Sequence, residues 1–355
     1  MTIAEAFNPK KNSLNALRLV LATLVIVSHS WPLGGYGEDP GFGGQDLGDW
    51  AVAGFFVTSG FLIAGSRMNS RSFGDYLWRR FLRIYPAFVV VLLAVAFIFA
   101  PLSILLDGTG AYSWVDGALY VVKNLGLYVT QLGIDGTLTT ANYPYSWDGP
   151  LWTLAYEFAC YIIIGALISV VPRRYVGRAT IALFAAGTFA TAVHVLMGVG
   201  GDGAAVRLVR LATYFAAGSI IYLYRERIPT RGWVAGVAGA LVIGSILTGT
   251  FQVFAGLPLA YVMLYAGIRL PLSKIGRKND ISYGMYIYAF PIQQLIAIAT
   301  AGTSLTLLPY VALSIVLTVP FAWASWLAIE RPAMSLKRLS AGRRSPTDRI
   351  PTSAV

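Results

Sequence analysis

Charge is scarce in this chain. Only 12% of its 355 residues are Asp, Glu, Lys or Arg, while 56% are hydrophobic. A soluble domain carries about twice that share of charge, so a soluble globular fold is excluded and a polytopic membrane protein is expected. Cysteine is nearly absent. The one thiol, Cys160, lies in an apolar run, which excludes an internal disulfide and a cysteine-rich metal site. Histidine is limited to His29 and His194, too few for a histidine zinc centre, and no metal is expected. Acids are outnumbered, 16 against 27 Lys and Arg, for a net charge of +11. In a soluble protein that excess hints at nucleic acid. Here the basic residues sit in short loops between apolar runs, so orientation in a bilayer accounts for them and no nucleic-acid partner is expected.

Long apolar runs fill the rest of the chain. They lie near 17–33, 50–66, 84–106, 150–171, 178–199, 206–223, 232–249, 251–268, 282–300 and 309–329, long enough to cross about 30 Å of hydrocarbon, several only barely. Ten crossings put both ends of the chain on one side. With that side cytoplasmic, the inner segments collect every Lys and Arg except Arg18, Lys123, Arg207 and Arg210. The outer segments hold Glu38, Asp39, Asp46, Asp49, Asp107, Asp116, Asp135, Asp148 and Asp202, as the positive-inside rule requires. Counting 117–133 as an eleventh span would turn Arg173 and Arg174 outward. The expected fold is therefore an all-α polytopic protein of the inner membrane with about ten transmembrane helices and both termini cytoplasmic. Residues 107–149 are expected as an outer, partly re-entrant loop. Residues 1–339 form the transmembrane domain, and 340–355 a basic, disordered cytoplasmic tail. Lys10 and Lys11 before the first run imitate a signal peptide, but Arg18 within it and the absence of a small-residue cleavage site argue that it is retained.

That first run holds the two residues on which function turns, Arg18 and His29. Ionisable groups at membrane depth are costly and count as functional candidates. Eleven residues make about three turns and a rise of roughly 16 Å, so both face one way, one near a membrane surface and the other past mid-depth. That spacing suits a two-point grip on a long ligand entering end-on. A neutral His29 can take a proton from an attacking hydroxyl; alternatively it is an interhelical hydrogen-bonder. Arg79, Arg80 and Arg83 fall at i, i+1 and i+4 of a helix, where guanidinium forks suit phosphate or anionic lipid. Glu157 in the fourth run must be paired or protonated; it orients His29, pairs with Arg210, or holds helices together. Arg207 snorkels to the interface. The aromatic stretch 142–150, Asn-Tyr-Pro-Tyr-Ser-Trp-Asp-Gly-Pro, suits a sugar-binding lip or an interfacial aromatic belt.

Several stretches together resemble the membrane-bound acyltransferase-3 family, in the right order and through nearly the whole chain. Arg18 and His29 match its basic-x10-His pattern. Phe55-Phe56-Val57-Thr58-Ser59-Gly60-Phe61-Leu62 is similar to its FFxxSGFL, and Arg79-Arg80-Phe81-Leu82-Arg83-Ile84-Tyr85-Pro86 to its RRxxRIxP. Leu151-Trp152-Thr153-Leu154-Ala155-Tyr156-Glu157 resembles LWxLxxE, Ile281-Ser282-Tyr283-Gly284-Met285-Tyr286 resembles ISYxxY, and Glu330-Arg331-Pro332 its closing ERP. The resemblance implies acyl-CoA as donor and a hydroxyl of a cell-surface glycan or glycolipid as acceptor, in contact with membrane lipids. It implies donor phosphates on Arg18, Arg79, Arg80 and Arg83, His29 as base, and supporting or acceptor-binding roles for Glu157, Arg210, Ser59, Trp152 and Tyr283. Ser28 and Ser30 make an acyl-enzyme conceivable. Two departures stand out. Ala53-Gly54 stands where many members place an aspartate before FF, and Tyr288-Ala289-Phe290-Pro291 where many carry a histidine before the last conserved proline. No further soluble domain is expected after the tenth run. The competing classes are a transporter or flippase of a lipid-linked glycan, and an acyltransferase acting on a cytoplasmic small molecule.

Overall fold

The computed structural model describes residues 1–198 and 203–337; the expected tail at 340–355 and Asp202 lie outside the described residues. Its helices are α1 (Ile3–Ala6), α2 (Leu14–Gly34), α3 (Leu47–Met68), α4 (Phe73–Ala94), α5 (Ala100–Asp107), α6 (Trp114–Asn124), α7 (Thr153–Val170) and α8 (Arg173–Met197). They continue with α9 (Ala204–Leu223), α10 (Gly232–Leu247), α11 (Phe251–Phe254), α12 (Gly256–Arg269), α13 (Ser282–Ala299), α14 (Leu307–Ser325) and α15 (Arg331–Ser335). The fold is all-α, as expected, and each of the ten apolar runs carries a helix. Seven described helical stretches are long and apolar enough to cross a membrane by length and composition; one of them is Phe73–Asp107, continuous through a π turn at Val95–Phe99.

Small residues let the helices approach. Gly60 and Gly218 bring the backbones of α3 and α9 together, Gly60 against the Phe215 carbonyl and Gly218 against the Val57 carbonyl. Ser219 donates across the seam to the Gly60 carbonyl at 3.1 Å. Without water to drive them together, helices in a bilayer associate through such close packing and hydrogen bonds. Helix α13 is buried almost throughout, packed between α2 and α14, and is the axis of the bundle.

Within residues 107–149 no described helix is long enough to cross a membrane. Helix α6 has eleven residues, a rise of about 16 Å, half a bilayer core. It is amphipathic: Trp114, Val115 and Val122 face outward while Tyr120 and Val121 pack inward. The irregular chain after it is tied down by fully buried Trp147, whose indole donates to Thr137 Oγ1 at 2.8 Å. At the opposite end of the bundle, residues 331–337 lie against the arginine-bearing part of α4, and Ala4, Phe7 and Pro9 share a cavity with Arg79.

A two-residue turn decides what sits over His29. Gly43 and Gly44 both have positive φ (63° and 76°), as a tight hairpin turn requires. They pair Gly41–Phe42 with Gln45–Asp46. The Leu47 N–H then reaches the Pro40 carbonyl at 2.8 Å, so the chain between α2 and α3 folds back and holds Asp39 over the end of α2.

A histidine cleft and an arginine passage

His29 faces a cleft of about 390 Å³. Its Nδ1 lies 3.7 Å from Asp39 Oδ1, too long for a hydrogen bond but within ion-pair reach. Asp39 is held in turn: Ser28 Oγ donates to it at 3.1 Å and itself accepts from the Gly48 N–H, in the first turn of α3, at 3.0 Å. Phe290 packs its ring edge-on to the imidazole at 5.4 Å. On that side the imidazole meets only an apolar edge. Opposite the histidine, Tyr128, Tyr143, Trp152, Tyr156 and Arg207 line the cleft, and the Arg207 guanidinium lies 5.3 Å over the Trp152 ring. The aromatic stretch 142–150 contributes Tyr143, Ser146, Gly149 and Pro150 to this wall.

Arg18, eleven residues earlier on α2, lines two small pockets on the arginine side of the cleft. They hold only about 30 and 50 Å³ and share Arg18, Glu157 and Tyr283. Between cleft and passage stands the Gly149–Trp152 turn, with Pro150 and Trp152 on the cleft side and Thr153 and Leu154 on the other. Tyr286 pins this partition, its hydroxyl 2.7 Å from Thr153 Oγ1 and 3.2 Å from the Pro150 carbonyl. Spaces of this size hold a water or two, so a long ligand passes only if the partition gives. The long ligand expected to span Arg18 and His29 meets a constricted passage here.

The expected site residues divide between these spaces. Glu157 accepts from Ser59 Oγ at 3.0 Å and Tyr161 Oη at 2.6 Å, and so meets neither His29 nor Arg210. Arg210 instead lies 3.9 Å from Asp49. Arg18 and Arg83 converge on Asp280, at 3.4 and 2.5 Å, and Arg83 also lies 3.7 Å from Glu330. Arg79 pairs with Asp75 at 3.0 Å. Arg80 has a different setting, lining the passage with its Nε buried and without a hydrogen-bond partner, as is the Arg18 Nε. Tyr283 lines both pockets and donates to the Ile84 carbonyl, fixing α13 to α4. Ser28 and Ser30 are fully buried; Ser30 donates to the Ile26 carbonyl and accepts from Gln293.

Two residues of this machinery were not foreseen, Asp39 and Asp280. The signal for Asp39 was an acid just before Pro40 and the Gly43-Gly44 turn. The signal for Asp280 was an acid among Lys274, Arg277 and Lys278, in a segment where acids are rare. Burial would raise the Asp280 carboxyl, but the guanidiniums of Arg83 and Arg18 and hydrogen bonds from Ser282 hold it down at about 2. It is a fixed negative charge.

Comparison with known proteins agrees on family. The family model described as an acyltransferase domain, that of acyltransferase-3, matches residues 11–327. An O-acetyl transferase of Shigella phage Sf6 is 30% identical over 91% of this chain and 96% of its own length. Nodulation protein 10 of Rhizobium leguminosarum bv. viciae is 28% identical over 94% of this chain and 96% of its own. No solved structure matches the chain.

Proposed function

We propose, from the premise that this chain belongs to the acyltransferase-3 family, that it moves a short acyl group from cytoplasmic acyl-CoA to a hydroxyl of an extracytoplasmic glycan or glycolipid. At the coarser level the chain is a membrane O-acyltransferase. The finer reading places ten crossings in the inner membrane with both termini cytoplasmic, so the arginine end faces the cytoplasm and the histidine cleft faces outward. The observation that carries it is the pairing of His29 with Asp39 in an aromatic cleft, on the same helix as an arginine that lines the passage behind it.

The acceptor enters the cleft over Trp152, Tyr156 and Tyr143, flat rings of the kind that take a sugar face. His29 Nε2 removes the hydroxyl proton as the oxygen attacks the thioester carbon; the new C–O bond forms, the C–S bond breaks, and the imidazolium returns its proton to the departing thiolate. Asp39 favours the tautomer with Nδ1–H and stabilises the imidazolium while it lasts. On the other side of the partition, the unpartnered Nε–H groups of Arg18 and Arg80 supply donors for the amide carbonyls of a pantetheine arm, and Glu157 an acceptor for its N–H groups. Arg83 and Arg79 stand at the mouth as charges fixed by Asp280 and Asp75.

Expression of the chain or its His29→Ala variant, followed by mass spectrometry of the envelope glycans, tests the transfer, and titration of purified chain with CoA tests the donor. Acylated glycan with the unaltered chain alone, and CoA bound by both, is expected. Glycans unchanged by the unaltered chain, or CoA left unbound, removes the reading.

A further inference from the structure

The nucleotide end of the donor is poorly served by the expected arginines, because Arg18 and Arg83 share Asp280 and Arg79 is paired with Asp75. A larger space opens beside them. A cavity of about 490 Å³ lies between residues 4–9, the arginine-side half of α3 and the end of α9. Three aromatic residues border it: Phe7 packs edge-on against the buried Phe61, centroids 5.0 Å apart, and Phe61 edge-on against Tyr222 at 5.4 Å. The Arg225 guanidinium lies 4.2 Å over the Tyr222 ring, its acid neighbour Glu226 being exposed and 3.9 Å away, and Arg79 lines the same space. Leu62 borders this cavity and the passage of Arg18 and Arg80.

The wall is preformed. The N–H of Ile3 reaches the Ile228 carbonyl at 2.9 Å, that of Ala4 the Arg225 carbonyl at 3.0 Å, and that of Thr230 the Met1 carbonyl at 3.0 Å. Ile3 is buried beneath them. A four-residue helix such as α1 has no stability of its own, so these bonds hold residues 1–9 in place and keep Phe7 facing the cavity. A second cavity of about 460 Å³ nearby, bordered by Lys10 and Arg277, has no aromatic residue in its wall.

We propose that the aromatic cavity seats the purine nucleotide end of the acyl donor. The base lies against Phe7 and Tyr222, the two rings of the wall that are not fully buried, and its phosphates face Arg225. Stacking needs a ring face, and guanidinium forks bind phosphate in two-point fashion. Of the two spaces only this one offers both, and it shares Leu62 with the passage the pantetheine arm must enter. The inference rests on the acyl-CoA reading and adds where that donor is recognised.

The test is titration of the full chain in lipid nanodiscs with CoA and with 3′,5′-ADP, beside Arg225→Glu, Tyr222→Ala and Arg277→Glu variants whose melting temperatures are recorded. Arg225→Glu and Tyr222→Ala are expected to weaken both ligands by about tenfold or more, the scale of a lost stacking or charge contact, and Arg277→Glu to leave them unchanged. Should Tyr222→Ala fail to fold, since Gly65 packs against that ring, Arg225→Glu decides. Unaltered affinity in Arg225→Glu, or an equal loss in Arg277→Glu, overturns the site while CoA binding to the unaltered chain leaves the donor reading intact. A chain that binds no CoA brings down both.

Discussion

Asp39 Oδ1 lies 3.7 Å from His29 Nδ1 and accepts a hydrogen bond from Ser28, the residue next to that histidine. The imidazole is thus held from one side by an acid that the chain itself pins down. Replacing His29 with alanine removes the base, and turnover should fall by about 10²–10⁴-fold with donor affinity retained. Asp39→Asn keeps the shape and loses the charge, and a fall of about 10–100-fold is expected, as for other outer partners of a working histidine. Steady-state rates at saturating donor measure both. Normal turnover in His29→Ala would withdraw the base assignment.

Ser28 is committed to structure. Its hydroxyl joins the Gly48 N–H to Asp39, and it is fully buried. Ser28→Ala leaves that N–H unpaired at a cost of about 1–3 kcal/mol and loosens Asp39, so melting temperature and rate should both drop. Direct transfer also predicts that chain mixed with acetyl-CoA and quenched without acceptor keeps its unmodified intact mass. An acyl adduct on Ser28 or Ser30 would replace direct transfer with a two-step path.

The sequence made some of this legible and hid the rest for a physical reason. Arg18 and His29 lie on one helix, where a fixed rise and turn carry positions forward, so their common facing toward the central spaces could be read from spacing. The acids that serve them arrive from elsewhere: Asp39 through a hairpin reversal, and Asp280 from a segment 262 residues distant. Periodicity carries no information about such meetings. Glu157 shows the same limit. Its place on α7 was readable, but its choice of Ser59 and Tyr161 over His29 or Arg210 depends on how α3 and α7 pack. The sequence argument against an added crossing at 117–133 was one of charge; the structure adds that α6 has only eleven residues.

Asp280 ties α2 to α4 through Arg18 and Arg83. Removing it leaves Arg18 without its acid and Arg83 with Glu330 alone, and breaking a buried pair in this way costs up to about 3–5 kcal/mol. Asp280→Asn should therefore lower the melting temperature markedly, and more than Glu5→Gln at an exposed pair. Its carboxyl is held at about 2 in the folded chain, below the roughly 3.9 of an unfolded aspartate. The stability it contributes is complete above pH 4 or so and is lost as pH falls toward 2. Asp280→Asn should flatten that acid limb; an unchanged acid limb would mean the clamp carries little.

Asp148 is the opposite case, and its titration runs the other way. It immediately precedes the partition turn, is buried, and neither carboxyl oxygen has a hydrogen-bond partner. Burial pushes its carboxyl well above the usual range, so the folded chain holds the proton that an unfolded aspartate releases near pH 4. Folding must then take up that proton. The stability tied to the neutral acid is complete below about pH 4 and falls by about 1.4 kcal/mol for each pH unit above it until the folded group itself ionises. Asp148→Asn keeps the shape without an ionisable proton, so the variant should be more stable than the parent at pH 8, equal or weaker at pH 4, and flatter between. Melting curves in detergent across that range measure it. Parallel curves for parent and variant would mean that Asp148 is ionised in the folded chain and that its surroundings are wetter than its burial implies.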